Sequence, residues 1–194
     1  MLLSNLDLLA TAPGGVARLR ELILTLAVQG KLVPQDPADE PASVLLQKTR
    51  AEKDRLIAEG KVKRDKPLAE IAEEEKPFGL PMGWEWVRCA DYFVELCTGP
   101  FGSVIHQEDY VANGVPLINP SHMVDGRIAH DPRVTLNQSD AARLSAYALS
   151  AGDIVLARRG EVGRYALVTE REHGWLCGTG SFFVRLLPEC NRSY

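Results

Sequence analysis

Hydrophobic residues recur at helical spacing in two segments near the start of the chain. The first segment, residues 16–29, carries an apolar stripe made of Leu19, Leu22, Ile23 and Leu26. Intervals of three and four residues place such side chains on one face of a helix, and Gly30 is a typical terminating residue. The second segment begins near residues 39–41, an acidic pair followed by proline, and ends at Gly60. The pattern therefore predicts two amphipathic helices.

The apolar stripe of the first helix needs a surface that covers it, because an isolated amphipathic helix is only marginally stable in water. Two arrangements meet this need. Either the stripe packs within the chain, on the second helix or on the domain that follows, or it docks a partner chain. The sequence alone leaves both arrangements open.

Residues from 84 onward follow a different pattern. The connector before them, residues 61–83, is rich in charge and proline and is typical of an extended or partly ordered linker. Apolar and polar residues then alternate over 84–88, which predicts a strand. Further strands are predicted at residues 115–118, 153–157, 165–169 and 182–187. We therefore predict an α+β fold in two parts, a helical region with its linker at 1–76 and a β-rich domain at 77–194.

Composition narrows the class of protein. The chain has 194 residues, of which 45% are hydrophobic and 25% charged, as in globular rather than disordered proteins. No apolar run approaches the roughly 20 residues that cross a bilayer. Residues 1–10 carry no basic residue, so we expect no signal peptide. The cysteines form no CxxC pair and the histidines are scattered, which predicts free thiols, no metal site and a cytoplasmic location.

The distribution of lysine and arginine along the chain is more informative than the net charge. The net charge of −4 argues weakly against a nucleic-acid-binding protein. Every lysine, however, lies at or before Lys76, and every basic residue after Leu80 is arginine. The planar guanidinium bonds O6 and N7 of guanine together, which the point charge of lysine copies poorly. Selective recognition fits this distribution, and so does genomic base composition combined with surface ion pairs.

Motifs of catalysis are missing from the sequence. It contains no P-loop, no GxGxxG, no GxSxG and no HExxH. Residues 119–122 begin with Asn-Pro, as does the catalytic tetrapeptide of adenine methyltransferases, but the second proline and the aromatic residue are absent. Residues 74–76 resemble the end of a nuclease ExK motif but lie in a charged linker, where such runs are usually solvated. We therefore predict no enzymatic activity.

Three loops in the second half carry the candidate chemistry. Residues 98–103 form a glycine-proline loop around Phe101, and residues 177–181 form a tight turn with hydroxyl side chains. Between them, an apolar strand ends in two arginines, and a glycine-rich turn leads to a third. A hairpin loop on a rigid strand pair is a good support for guanidinium groups that enter a DNA groove. Ordinary structural turns, and ion pairs with Glu161, Glu170 or Glu172, explain the same residues.

The order of motifs closely resembles that of the specificity subunits of type I restriction–modification enzymes. The motifs that carry this resemblance are residues 19–24, 30–36, 40–43, 80–86, 99–103, 106, 109–110, 114–120, 152–160, 163–164 and 176–181. No single motif is specific, but their number and order are. The match extends over residues 16–187, so the chain is similar to the N-terminal helical region and part of the first target recognition domain of that family.

The resemblance implies a fold, a function and partners. The implied recognition domain has a mixed, curved β-sheet, here truncated, and reads part of a split sequence in double-stranded DNA. The implied helices bind modification subunits, which use S-adenosylmethionine to methylate adenine, and a restriction subunit adds ATP- and Mg²⁺-dependent cleavage. No cofactor is then expected on this chain. The alternative function is a truncated interaction module that docks the modification subunit without binding DNA alone.

Candidate site residues follow from the loops and the stripe. The strongest candidates for DNA contact are Arg158, Arg159 and Arg164. Weaker candidates are Phe101, Ser103, Asn119, Ser121, Thr179 and Ser181. The candidates for partner docking are Leu19, Leu22, Ile23 and Leu26. The sequence predicts no catalytic residue and no metal ligand.

Overall fold

The computed structural model describes residues 11–64, 66–160 and 162–192. The two predicted helices are confirmed as α1 (Gly15–Val28) and α2 (Ala42–Ala58). Gly30 ends the first of them: its φ of 65° is left-handed, and its N–H donates to the Ala27 carbonyl oxygen at 2.9 Å. Glycine adopts this conformation at no steric cost, which is why the predicted helix end is nearly correct. The expectation about residues 1–10 lies outside the described residues.

The first of two compact units contains the described residues up to Lys48 together with residues 66–88. Within it, Trp84 Nε1 donates a hydrogen bond to Gln35 Oε1 at 2.9 Å. A Cβ at Gly30 would collide with the ring of Pro81, so the chain after α1 passes close to the connector. Arg88 binds both carboxylate oxygens of Glu75, at 2.7 and 2.8 Å, and this pair holds the pKa of Glu75 at about 2. This unit is therefore held by contacts among the segment after α1, the connector and residues 84–88.

The strand predicted at residues 84–88 is wrong. These residues belong to no helix or strand in the part of the chain that the structure describes. Their alternation has another origin, because Trp84 bonds to Gln35 and the Trp86 ring packs 4.9 Å from the ring of Phe78. A period of two places alternate side chains on the same side of a segment. Here these side chains contact the segment after α1 and the connector instead of a neighbouring strand.

The second unit contains residues 49–64 and 89–192 of the described chain. Its short helices are α3 (Cys89–Tyr92) and α4 (Gln138–Arg143). Its strands are β1 (Glu95–Thr98), β2 (Tyr110–Val111), β3 (Val115–Ile118), β4 (Met123–Val124), β5 (Arg127–Ile128), β6 (Thr135–Leu136), β7 (Ile154–Ala157), β8 (Tyr165–Leu167), β9 (Leu176–Cys177) and β10 (Ser181–Arg185). The α+β class predicted from the sequence is therefore confirmed.

These strands form two four-stranded sheets and a hairpin. One sheet has the order β1-β10-β7-β8 and is antiparallel, and the other has the order β2-β6-β3-β9. The pairing of β3 with β9 is parallel, which makes the architecture mixed, as the resemblance implies. Strands β4 and β5 form the hairpin. Four predicted strands correspond to β3, β7, β8 and β10, each within two residues of its expected bounds.

A buried apolar cluster connects the strands of the second unit. Its members include Ile118 of β3, Val155 of β7, Cys177 of β9 and Phe183 of β10. Because the cluster is built from strands that flank the candidate loops, it fixes where those loops emerge. No helix in the described residues is long and apolar enough to cross a membrane. The functional division predicted between residues 76 and 77 stays a prediction.

Candidate nucleic-acid interface

Loops that are far apart in the sequence meet at one end of the second unit. The Gly99 N–H donates to the Ser181 carbonyl oxygen at 2.9 Å, and the Gly178 N–H donates to the Ile118 carbonyl oxygen at 2.8 Å. These bonds join the loop after β1, the loop after β3 and the turn before β10. We call residues 99–103, 119–121, 158–160, 162–164 and 177–181 the loop cluster.

Glycine makes this close approach possible at two positions. A Cβ at Gly99 would collide with the carbonyl oxygen of Gly178, and a Cβ at Gly178 would collide with the side-chain oxygen of Asn119. Both glycines lie in segments that the sequence identified as tight turns. The structure shows that they are needed for contact between the turns, not for positive φ angles, which neither adopts.

Arg158 lies in the middle of the loop cluster. Its backbone N–H donates to the Gly180 carbonyl oxygen at 2.8 Å, and its Nη2 donates to the Thr179 carbonyl oxygen at 2.7 Å. Its guanidinium carbon stands 5.8 Å from the centre of the Phe101 ring, within cation–π range. Its Nε atom is buried and has no hydrogen-bond partner within the residues described. The structure therefore brings Phe101, Arg158 and Thr179 together, all of them candidates from the sequence.

The arginine-rich segment is a hairpin loop, as predicted. Strand β7 pairs antiparallel with β8, and the Ala157 N–H donates to the Arg164 carbonyl oxygen at 2.9 Å, just before the loop opens. Arg159 is exposed, Arg164 is half-buried, and Val162 at the tip is 89% exposed. Glu161, one of the suggested ion-pair partners, lies outside the described residues. The loop thus offers one exposed arginine and one exposed apolar side chain.

Ion pairs account for several other arginines after Leu80. Arg88, Arg133, Arg143, Arg171 and Arg185 lie within 4 Å of Glu75, Asp131, Asp140, Glu172 and Asp153, respectively. The structural explanation of the arginine bias therefore holds for this group. Arg158 in the loop cluster differs from this group, because it contacts a carbonyl oxygen and an aromatic ring instead of a carboxylate.

The weaker candidates have different surroundings. Ser103 and Ser121 are exposed, while Asn119 is half-buried beside Gly178. Ser181 is fully buried, and its hydroxyl donates to the Ile118 carbonyl oxygen at 3.0 Å. The Ser181 side chain therefore stabilises the turn from inside, and we leave it out of the proposed contact surface.

His122 supports the loop cluster and is not recognisable from the sequence. Its Nδ1 accepts a hydrogen bond from the Asn119 N–H at 3.2 Å, and burial lowers its pKa, so the neutral ring that can accept this bond is favoured. A lone histidine carries no motif signal.

Cys177, the first residue of the 177–181 turn, is buried, and burial raises the pKa of its thiol to about 12. The described residues contain no group of three or more His, Cys, Asp or Glu placed to hold a metal ion.

Comparisons with known proteins agree with the motif order. The EcoEI type I restriction enzyme specificity subunit of Escherichia coli is 48% identical over 120 residues, which are 62% of this chain and 19% of that protein. The EcoAI specificity subunit of Escherichia coli is 40% identical over 153 residues, 79% of this chain and 25% of that protein. No protein-family model matches the chain. The resemblance to type I specificity subunits is therefore confirmed in sequence.

Two solved structures also resemble the chain. One is the HsdS subunit from Thermoanaerobacter tengcongensis, with 17% identity and a TM-score of 0.46, covering 92% of this chain and 37% of that chain. The other is from a type I R-M system, with 18% identity, a TM-score of 0.45 and coverage of 91% and 37%. The chain spans about a fifth to a quarter of the length of the curated relatives it matches.

Proposed function

We propose that the chain is part of a specificity subunit that recognises double-stranded DNA for a type I restriction–modification enzyme. The observation that carries the proposal is the loop cluster, in which three separate loops meet around Arg158 and place Arg159 at the surface. The relation in sequence to two type I specificity subunits supports it. The chain itself performs no catalysis.

The loop cluster has the properties of a recognition surface. It rests on paired strands and backbone hydrogen bonds, so little ordering is needed when a ligand binds. Arg159 and Arg164 supply guanidinium groups for base edges or phosphates, and the hydroxyls of Ser103 and Ser121 suit phosphate contacts. These residues form the proposed DNA surface, together with Asn119 and Thr179.

The chemistry of modification and restriction belongs to partner subunits in this proposal. S-adenosylmethionine, ATP and Mg²⁺ bind those subunits, which methylate adenine or cleave DNA after this chain has selected the sequence. The complex works in the cytoplasm, where the DNA is. Recognition residues vary with the target. The DNA sequence that this chain selects therefore depends on the geometry of its loops and on the shape of the DNA.

Replacing Arg159 with alanine is expected to weaken specific DNA binding by about 1–3 kcal/mol and to relax selectivity at one base pair. The physical reason is the loss of an exposed guanidinium from a loop that is held at its ends by the paired strands β7 and β8. The measurement is the affinity of the full-length protein, assembled with its methyltransferase subunits, for target and unrelated duplexes at several salt concentrations. If Arg159 contacts a phosphate instead, affinity for all duplexes falls and the salt slope decreases by about 1.

Arg143→Ala is the matched control, because Arg143 is exposed on α4 and pairs with Asp140. It removes the same charge from the same unit, at a residue that is not part of the loop cluster. Equal effects of the two substitutions would show that only total charge matters. An Arg159→Ala protein with unchanged affinity and salt dependence would remove Arg159 from the DNA surface.

The apolar stripe of α1 is the proposed docking site for the modification subunit. Leu22 and Ile23 are 36% and 42% exposed, and Leu19 and Leu26 are half-buried, so the stripe is only partly covered in the described structure. A contiguous row of exposed apolar side chains indicates a protein contact site more often than isolated exposed apolar side chains do. This observation favours a docking role in addition to DNA recognition.

Changing Leu22 and Ile23 together to glutamate is expected to abolish co-purification with the modification subunit, because two charges would be buried at the contact. Leu24→Glu is the control: Leu24 is 58% exposed on the other side of the same helix. Circular dichroism of the variant chain shows whether it remains folded. If the double variant unfolds and the Leu24→Glu variant does not, the stripe is internal core. If the double variant is folded and still co-purifies with the modification subunit, the stripe is not the docking site.

A further inference from the structure

Phe101 is an aromatic side chain exposed by a loop that is otherwise well anchored. The ring is 66% exposed, whereas its neighbour Pro100 and the nearby Ile105 are buried. The apolar surface of an exposed phenylalanine ring is in contact with water, and burying that surface against a ligand lowers the free energy. The exposed part of the loop is therefore limited to residues 101–103, and Phe101 is its only aromatic side chain.

The loop holds Phe101 in place before any ligand binds. The Gly99 N–H bonds to the Ser181 carbonyl oxygen, and the Val104 N–H donates to the Phe101 carbonyl oxygen at 2.9 Å. A Cβ at Gly102 would stand 3.8 Å from a methyl carbon of Thr179, so the loop also lies against the neighbouring turn. Contact with a ligand would then require little further loss of conformational freedom.

Arg158 fixes the orientation of the Phe101 ring and is itself largely occupied. Its guanidinium lies over the ring at 5.8 Å, its Nη2 is bonded to Thr179, and its Nε is buried. One face of the ring is therefore covered by a cation. A ring that slides between two base pairs needs both faces free, so insertion into the base stack does not fit this arrangement. The uncovered edge and face suit a contact with one small apolar group.

We propose that Phe101 contacts the C5-methyl group of a thymine in the major groove, and that Arg158 is a positioning residue for this contact. The proposal rests on the proposed function and adds a specificity-determining residue to it. The thymine methyl is the apolar group that the major groove displays, and phenylalanine is one of the side chains suited to it. Arg158 acts through the ring and the Thr179 turn and does not contact a phosphate.

The test replaces each thymine of the target duplex, one at a time, with deoxyuridine, which lacks only the methyl group. The target is first selected from random duplexes with the full-length protein assembled with its methyltransferase subunits. At one position, we expect the substitution to weaken binding by the wild-type complex about fourfold, the effect of one buried methyl group. The Phe101→Ala complex should bind the thymine and uracil duplexes equally at that position.

Two further variants separate the roles of the residues. Val124→Ala removes another exposed apolar side chain, on β4, and should keep the wild-type sensitivity to uracil. Arg158→Ala should lose the sensitivity at the same position as Phe101→Ala does, with the salt slope unchanged. A slope lower by about 1 would instead make Arg158 a phosphate contact and overturn its positioning role.

The outcomes distinguish this inference from the proposed function. A wild-type complex that does not prefer any sequence contradicts the proposed function itself. A wild-type complex that is selective, but has no thymine whose methyl group affects binding, overturns only the inference about Phe101. The same holds if the Phe101→Ala complex remains as sensitive to uracil as the wild type.

Discussion

Replacing Asp153 with alanine is expected to lower the free energy of unfolding of the second unit by about 3 kcal/mol, the lower end of the range for breaking a buried ion pair. Asp153 is 1% exposed and accepts hydrogen bonds from Arg185 Nε at 2.8 Å and from Arg185 Nη2 at 2.7 Å. It also accepts from the Ser150 N–H at 2.8 Å. Alanine would leave all these donors without their carboxylate.

The lower end of the range applies because Arg185 keeps a second partner. Its Nη1 donates to Glu95 at 2.6 Å, so its charge stays partly compensated after the substitution. The network crosses the sheet, since Glu95 lies on β1, Arg185 on β10 and Asp153 immediately before β7. Its loss should therefore loosen the strands that support the loop cluster.

Native-state hydrogen exchange of the whole chain measures this effect in the amides of β7 and β10 and needs no separation of the two units. Asp131→Ala is the control, because Asp131 pairs with an Arg133 side chain that is 87% exposed. Exposed pairs contribute about 0–1 kcal/mol. If Asp153→Ala costs no more than Asp131→Ala, the network does not stabilise the sheet.

The helices and the longer strands were predictable because local signals determine them. Helix α1 has an apolar stripe and a glycine at its end. Strand β7 is a continuous apolar run, and β10 has apolar residues at 182–184 in its centre, as buried strands do. Strand β1 was missed because Glu95–Thr98 has no such run, although it is as long as β7. The short strands, such as β9, exist only because another strand lies beside them, which a local pattern does not report.

The members of the loop cluster were predictable, but their convergence was not. Each loop shows glycine, proline or arginine signals in the sequence. Their meeting depends on the parallel pairing of Leu117 and Ile118 with Leu176 and Cys177, a contact between distant segments. The same pairing places Asn119 against Gly178. The interpretation of Arg158 changes for this reason, since its Thr179 partner is supplied by a loop remote in sequence.

Replacing Gly99 with alanine should separate two loops of the cluster. A Cβ at this position would overlap the backbone oxygen of Gly178, and backbone cannot rotate away as a side chain does. We expect a loss of stability of about 3 kcal/mol, the upper end of the range for overpacking. Specific DNA affinity should fall at least about tenfold, because a loss of about 1.4 kcal/mol of binding free energy already lowers affinity tenfold.

Gly102→Ala is the matched control in the same loop. A Cβ there would meet nothing closer than 3.8 Å, and Gly102 does not adopt a positive φ. Urea unfolding of both variants, and their affinity for the selected duplex in the full-length complex, provide the comparison. Gly102→Ala should resemble the wild type in both measurements. If Gly99→Ala lowers stability but retains full affinity and selectivity, DNA recognition does not depend on the contact between the 99–103 loop and the 177–181 turn, and the proposed surface reduces to the β7–β8 hairpin.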